Sequence, residues 1–332
     1  MNLQTTYMGM TLRNPLVISA SPLSEKLDNI KKMEDAGAGA VVMFSLFEEQ
    51  IRQETASFNF LMDQGTNSFA EALNYFPGID DYRVGIDHYL DLIRQAKDSV
   101  DIPIIGSLNG TTSGGWMDYA KAYEEAGADG LELNVFFIPT DTGLDGPSVE
   151  ERYLDILRIV KDSVSIPVAV KLNPYFSSMG NFAKKLSDEE GADGLVLFNR
   201  FYEPDIDVDT LEILHTLELS SPNEIRLPLL WLGILHGKIN ATLAASTGVQ
   251  GSTEVIKYLL AGADVVMTAS CLFKKGIPYI YQILAELEEW MQARDFKSVD
   301  EMRGVMSQSN VADPTRYERA NYIKILQGYP AA

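Results

Sequence analysis

Cysteine is almost absent: Cys271 stands alone in 332 residues, so the chain can build neither a disulfide framework nor a thiolate metal cluster. Histidine is scarce too, and His88, His215 and His236 lack the i, i+4 spacing of a helical metal pair, which argues against a metal site. Positive charge is in deficit, with 27 basic against 47 acidic residues and a net charge of −20. Nucleic acid and anionic membranes both need a basic surface to replace counterions, so neither is an expected partner. Long hydrophobic runs are missing too. The stretch LPLLWLGIL at 227–235 is too short to span a bilayer, and MNLQTTYMGMTLRNP lacks the charged-then-apolar pattern of a secretory signal. The expected location is the cytoplasm.

What remains is ordinary globular composition, 46% hydrophobic and 22% charged, enough to bury a substantial core. No low-complexity linker divides it, so residues 1–332 read as a single domain. One phrase recurs four times: DAGAGAVVM at 35–43, EAGADGLEL at 125–133, EEGADGLVL at 189–197 and LAGADVVMT at 260–268. Each is the end of an amphipathic helix, a glycine able to terminate it, and a strand of small and branched apolar residues. A second phrase alternates with it: NPLVISA at 14–20, IPIIGSL at 102–108 and IPVAVKL at 166–172, with proline at the strand's first position, where a missing N–H is harmless. Together they predict strands near 14, 39, 102, 129, 166, 193 and 263. For the remaining strand, LPLLWLGIL ends in His236 and Gly237 like a helix C-terminus, so ATLAAST at 241–247 is preferred.

Eight apolar strands alternating with helices predict an α/β fold, a single (β/α)8 TIM barrel. A doubly wound Rossmann sheet is the weaker alternative, because ISASPLSEK after the first strand contains no glycine. The stretch 46–84 between the second and third strands is too long for a plain connection and reads as a cap insertion over the barrel mouth. DPTRYERANYIKILQGYP near the end reads as a turn followed by an amphipathic helix, a C-terminal extension over 313–330. Its first expectation is packing on the barrel's own outer helices; a homodimer through it or the cap is the alternative.

In such a barrel the chemistry gathers at the C-terminal ends of the strands. Those positions hold Ala20 and Ser21, Met43 to Ser45, Asn109, Asn134, Lys171, Asn199 and Arg200, Ser246 to Gly248, and Ala269 and Ser270. Lys171 lies inside the apolar run VAVKL, where an unpaired ammonium is costly, so an anionic partner is expected. Asn134 and Asn199 can cap loops or read donors and acceptors on a heterocycle. Ser246, Thr247 and Gly248 after strand seven and Ala269 and Ser270 after strand eight offer hydroxyls and backbone N–H groups beside helix N-termini, a phosphate cradle.

These segments resemble the flavin-dependent dihydroorotate dehydrogenase family, its soluble class most closely. NPLVISAS is similar to the family's first strand, LELN to its fourth, VKLNPYF to its V-K-L-P-P-Y-F, and LLAGADVVMTAS to its last strand. The resemblance implies FMN, with its phosphate on Ser246, Thr247, Gly248, Ala269 and Ser270. It implies the ring against Ala20, Ser21 and Ser45, with Asn109, Asn134 and Asn199 lining it and Lys171 beside the N1/C2 edge. Substrate groups would fall to Asn74, Asn134, Asn199 and Arg200, and the implied activity is oxidation of dihydroorotate to orotate in pyrimidine biosynthesis, with Lys171 and Asn134 in catalytic roles.

Three departures qualify that expectation. The family continues its fourth strand as L-N-x-S-C-P-N, or with serine as the base, whereas this chain reads LNVFFIPTD at 133–141 and has no base there. Thr140, Thr142 and Ser177 are the nearest hydroxyls, without a visible activating partner. Where the family carries lysine after strand two, VVMFSLF has Met43 and Phe44, and the glycine-rich turn before helix six is replaced by FNRFYEPDID. The alternative is therefore an FMN oxidoreductase acting on another small anionic substrate held by Arg200. A phosphate-binding barrel lyase with Lys171 as a Schiff base, or a binding module, is the third reading.

Overall fold

The computed structural model describes residues 1–49, 51, 86–110, 112–200, 203–214, 218–318 and 327–328. Twelve strands are ordered in the chain among them. Thr5–Tyr7 (β1) and Met10–Leu12 (β2) form an antiparallel hairpin. Leu16–Ile18 (β3), Ala40–Phe47 (β4), Ile104–Asn109 (β5), Gly130–Asn134 (β6), Val168–Leu172 (β7) and Gly194–Leu197 (β8) belong to the barrel. Asp205–Asp207 (β9) and Glu212–Leu214 (β10) make a second hairpin, and Thr242–Ala245 (β11) and Val265–Thr268 (β12) complete the barrel. Its closed order is β11-β12-β3-β4-β5-β6-β7-β8, all parallel. The fold is a TIM barrel, with strand seven where ATLAAST placed it and Arg226–Leu235 helical.

The fourfold phrase has a chemical cause. Three of its copies carry an aspartate after the Gly-Ala junction, and each carboxylate accepts a backbone N–H at the start of the preceding barrel strand. Asp129 accepts from Ile104 at 2.7 Å, Asp193 from Val168 at 2.8 Å and Asp264 from Leu243 at 2.7 Å. Each also meets a cation: Lys97 at 2.7 Å, Lys161 at 2.7 Å and Arg303 at 2.6 Å. In the first copy the aspartate is replaced by Gly39, because a Cβ there would stand 2.4 Å from the Asn14 carbonyl oxygen. Asn14 takes over, accepting from Leu16 N–H at 3.0 Å and donating to the Gly37 carbonyl at 2.7 Å. The barrel is thus four strand pairs, β3–β4, β5–β6, β7–β8 and β11–β12, each clipped at its floor.

Side chains alternate across each strand, so half of every strand faces outward against the helices and half fills the barrel. The outward core is continuous, from Ile30 and Met33 through Trp116, Tyr123, Tyr153 and Phe182 to Leu259 and Leu287. The inner core holds Val17, Ala40, Val42, Ile105, Ala169, Val196, Ala244, Val265 and Met267. Its small residues leave room for Tyr7, Met8 and Leu12 of the β1–β2 hairpin, which plug the floor. Met8 at φ 48° and Gly9 at φ 74° give that hairpin its tight two-residue turn. Neither hairpin is expected from the sequence pattern, since three-residue strands leave too short an alternation to read.

Of the expected cap, 46–49 and 51 are described: β4 ends at Phe47, and the buried Glu48 accepts from Thr112 N–H at 2.9 Å and its hydroxyl at 2.7 Å, tying the strand end to the helix Ser113–Glu125. The other cap positions lie outside the described residues. Of the C-terminal extension, Pro314–Tyr317 is a single 3₁₀ turn, and 319–326 and 329–330 lie outside the described residues. No helix among the described residues is long and apolar enough to cross a membrane.

Removing one clip leaves a strand-opening N–H and a cation without their partner. Asp193→Ala is expected to lower unfolding free energy by about 1–3 kcal/mol, read as a lower urea midpoint at unchanged slope; an unchanged midpoint would refute the clip.

Candidate active site

Where the inner core reaches the C-terminal ends of the strands it turns polar. Ser45 on β4 and Ser107 on β5 share a hydrogen bond of 2.8 Å, and Ser107 is in register with Glu132 on β6. Glu132 is fully buried, and Lys171 on β7 is 7% exposed. The Lys171 ammonium donates to Glu132 Oε1 at 3.2 Å. The anionic partner that the apolar run VAVKL demands is therefore Glu132. Glu132 Oε2 is buried with no hydrogen-bond partner, and so is the Tyr7 hydroxyl in the plug below. Burial first, and then the Glu132 charge, push the Tyr7 phenol up, so it stays neutral.

One step higher, Asn134 is in register with Lys171 and accepts a 2.7 Å hydrogen bond from the Asn199 amide. That leaves the Asn134 N–H groups and the Asn199 oxygen for a ligand. Asn109 is buried at the end of β5, and Ala20 and Ser21 are half-buried after β3. Ser21 Oγ is buried and has no hydrogen-bond partner.

On the other side of the mouth the loops after β11 and β12 converge. Thr247 at φ 79° and Gly248 at φ 76° turn the chain, and a Cβ on Gly248 would meet Ile225 at 2.6 Å. The Thr247 hydroxyl is spent on the Phe198 carbonyl at 3.0 Å, while Ser246 is buried beside it. Gly248 N–H donates to Ser220 Oγ at 3.1 Å, Ser220 and Ser270 hydroxyls meet at 2.8 Å, and Gln250 Nε2 donates to Ser270 Oγ at 2.8 Å. Ala269 caps the helix Ser270–Lys275. Lys274 reaches the Ser220 carbonyl at 3.4 Å and Lys275 the Gln250 carbonyl at 3.1 Å, so two ammonium groups border the cradle. Ser220, Gln250 and the two lysines were not legible beforehand, because Ser220 arrives from beyond a hairpin far from the loops it joins.

Arg200 does not present a free charge: its Nε lies 3.1 Å from Glu224 Oε1 and an Nη donates to the Glu218 carbonyl. Asn74 lies outside the described residues.

The apolar segment after β6 forms a wall. Val135 is buried, and its carbonyl accepts from the Tyr153 hydroxyl at 2.9 Å. That hydroxyl accepts in turn from Asn173 Nδ2 at 2.9 Å, and Asn173 also holds Tyr175 N–H at 2.8 Å. The asparagine of VKLNPYF therefore ties two catalytic-face loops together. Burial pushes Tyr153 up to about 12, so it serves as a neutral donor and not as a base. Phe137 lies under the Arg152 guanidinium, 4.2 Å from ring centre to Cζ. With Ile138, Pro139, Val149, Asn173, Tyr175 and Glu203 it lines a cavity of about 300 Å³, to which, among the described residues, Glu203 brings the carboxylate. Thr140, Thr142 and Ser177 are solvent-exposed.

The family model for dihydroorotate dehydrogenase matches residues 2–291. The chain belongs to the dihydroorotate dehydrogenase family. It is a divergent member. The catalytic subunit of dihydroorotate dehydrogenase B (NAD(+)) of Thermoplasma acidophilum is 27% identical over 308 residues, 92% of this chain and 98% of that protein. Its counterpart from Methanothermobacter thermautotrophicus is 26% identical over 312 residues, 91% and 98% of the two chains. The NAD-dependent dihydropyrimidine dehydrogenase subunit PreA of Escherichia coli K12 is 23% identical over 350 residues, 93% of this chain and 78% of its own. Family membership makes the chain an oxidoreductase.

Tyr153→Phe deletes the hydroxyl that joins Val135 to Asn173 and is expected to cost about 1–3 kcal/mol, since a buried carbonyl and an amide lose their partner. A thermal midpoint equal to that of the parent would show that the phenol does not hold these loops.

Proposed function

We propose that the chain is an FMN-dependent oxidoreductase acting on a CH–CH bond of a small cyclic amide, with the usual loop base replaced. The observation that carries this reading is the mouth itself, where a cradle of hydroxyls, N–H groups and lysines faces an amide pair and a paired lysine across one opening. The donor set fits FMN. Ser220, Gly248, Gln250 and Ser270, with Lys274 and Lys275 for charge, suit its phosphate. Ser21 Oγ and the unused groups of Asn134 and Asn199 suit a ring bearing both donors and acceptors. Bound FMN supplies two-electron redox chemistry that no side chain here has.

The chain's own residues do the rest. Lys171 holds positive charge where the ring becomes negative on reduction, a stabilisation that costs no reorganisation because the barrel has already fixed it. Asn134 and Asn199 orient the substrate's amide groups. Phe137 in the cysteine position takes no proton, and Tyr153 keeps its own. Glu203 is the carboxylate of the adjoining cavity and takes the base's role, accepting the proton from the carbon beside the one that loses hydride.

The names of the relatives, a dihydroorotate dehydrogenase subunit and a dihydropyrimidine dehydrogenase subunit, support dihydroorotate or a dihydropyrimidine as the substrate, with pyrimidine metabolism as the context. The carboxylate of dihydroorotate would need Arg200 to exchange Glu224 for substrate. A neutral dihydropyrimidine needs no such exchange, and the Arg200–Glu224 pair at 3.1 Å favours it.

Purified protein is expected to be yellow and to release FMN on acid denaturation; colourless protein that cannot be reconstituted would sink the flavin reading. Anaerobic bleaching by dihydrouracil but not by dihydroorotate is the expected substrate order. Glu203→Gln is expected to slow bleaching by about 10² or more without loss of bound flavin, and an unchanged rate would remove Glu203 from the reaction.

A further inference from the structure

Lys171 and Glu132 form an ion pair at a place where neither charge can be hydrated, with Glu132 fully buried and Lys171 7% exposed. Side chains two residues apart on one strand share a face, so Glu132 and Asn134 both point inward, and Lys171 on the neighbouring strand lies beside both. A lone ammonium at the end of a four-carbon stem is mobile, and the apolar residues flanking it, Val170 and Leu172, supply no anchor. Glu132 is the partner that fixes it. Its Oε1 takes the ammonium and its Oε2 takes nothing, so the carboxylate's interaction with charge is committed to Lys171.

We propose that Glu132 is a positioning residue that holds the Lys171 ammonium at the ring edge of FMN and offsets part of its charge, and so sets how strongly the barrel favours the reduced cofactor. This rests on the FMN reading above. In a site of low dielectric two opposite charges 3.2 Å apart are felt at longer range as a dipole, far weaker than a bare cation. The sign follows. Removing the carboxylate unmasks the ammonium, and the unmasked ammonium stabilises the negative reduced ring.

The test is the equilibrium reduction potential of bound FMN, measured by dye equilibration in the parent, Glu132→Gln, Lys171→Met and the double variant. Glu132→Gln is expected to favour reduced FMN about tenfold, which for two electrons is about +30 mV. Because Glu132 acts through Lys171, the double variant is expected to match Lys171→Met. Where Glu132→Gln does not accumulate as folded protein, Glu132→Asp is measured instead, and its shortened side chain is expected to move the potential in the same direction. A protein that takes up no FMN overturns both readings. Retained FMN with an unmoved potential, or a double variant that departs from Lys171→Met, overturns this one alone.

Discussion

An unpaired charge is costly inside a closed parallel barrel, and the pairing of the buried Lys171 and Glu132 is the interaction around which the polar mouth is arranged. Below that pair the interior is apolar and plugged by Tyr7 and Met8; above it lie the Asn134–Asn199 pair and the converging loops. The pair marks the level at which the core stops being filler and becomes a platform. It also explains why small residues such as Ala169 and Ala244 sit beneath it, since the plug from the N-terminal hairpin must fit there.

The floor and the mouth answer to different requirements. At the floor, Asp129, Asp193 and Asp264 each satisfy a strand-opening N–H and a cation, a repetitive task met by a repetitive sequence. At the mouth each described loop is different, and each brings different polar groups to the opening. The apolar segment from Val135 to Pro139 belongs to this second class. It is pinned at Val135 by Tyr153, leans on Arg152 through Phe137, and lines a cavity bordered by Glu203.

Barrel periodicity was legible because it is written in short range: a glycine junction, a proline at the strand's first position, an apolar run. Seven strands and their C-terminal residues followed from that, the remaining strand from the helix-like end of LPLLWLGIL, and the need for an anionic partner to Lys171 from the cost of an ammonium in an apolar run. Glu132 was within reach too, since LELN places it on the same face as Asn134. Ser220 and Gln250 were not, because their role depends on loops 20 to 50 residues apart meeting over Ser270. Arg200 was legible as a mouth residue but not as one already paired, for its partner Glu224 lies on a short helix brought back beyond a hairpin.

By itself, then, the sequence determined the barrel, its alternation of inward and outward residues and the family resemblance, all properties carried by neighbours a few positions apart. Only the tertiary structure decided which charges are free. Glu132 pairs with Lys171, Glu224 holds Arg200, and Lys274 and Lys275 reach the carbonyls of Ser220 and Gln250. The reason is physical: a charge's effect depends on distance and on exclusion of water, and both are set by closure of the barrel rather than by order along the chain.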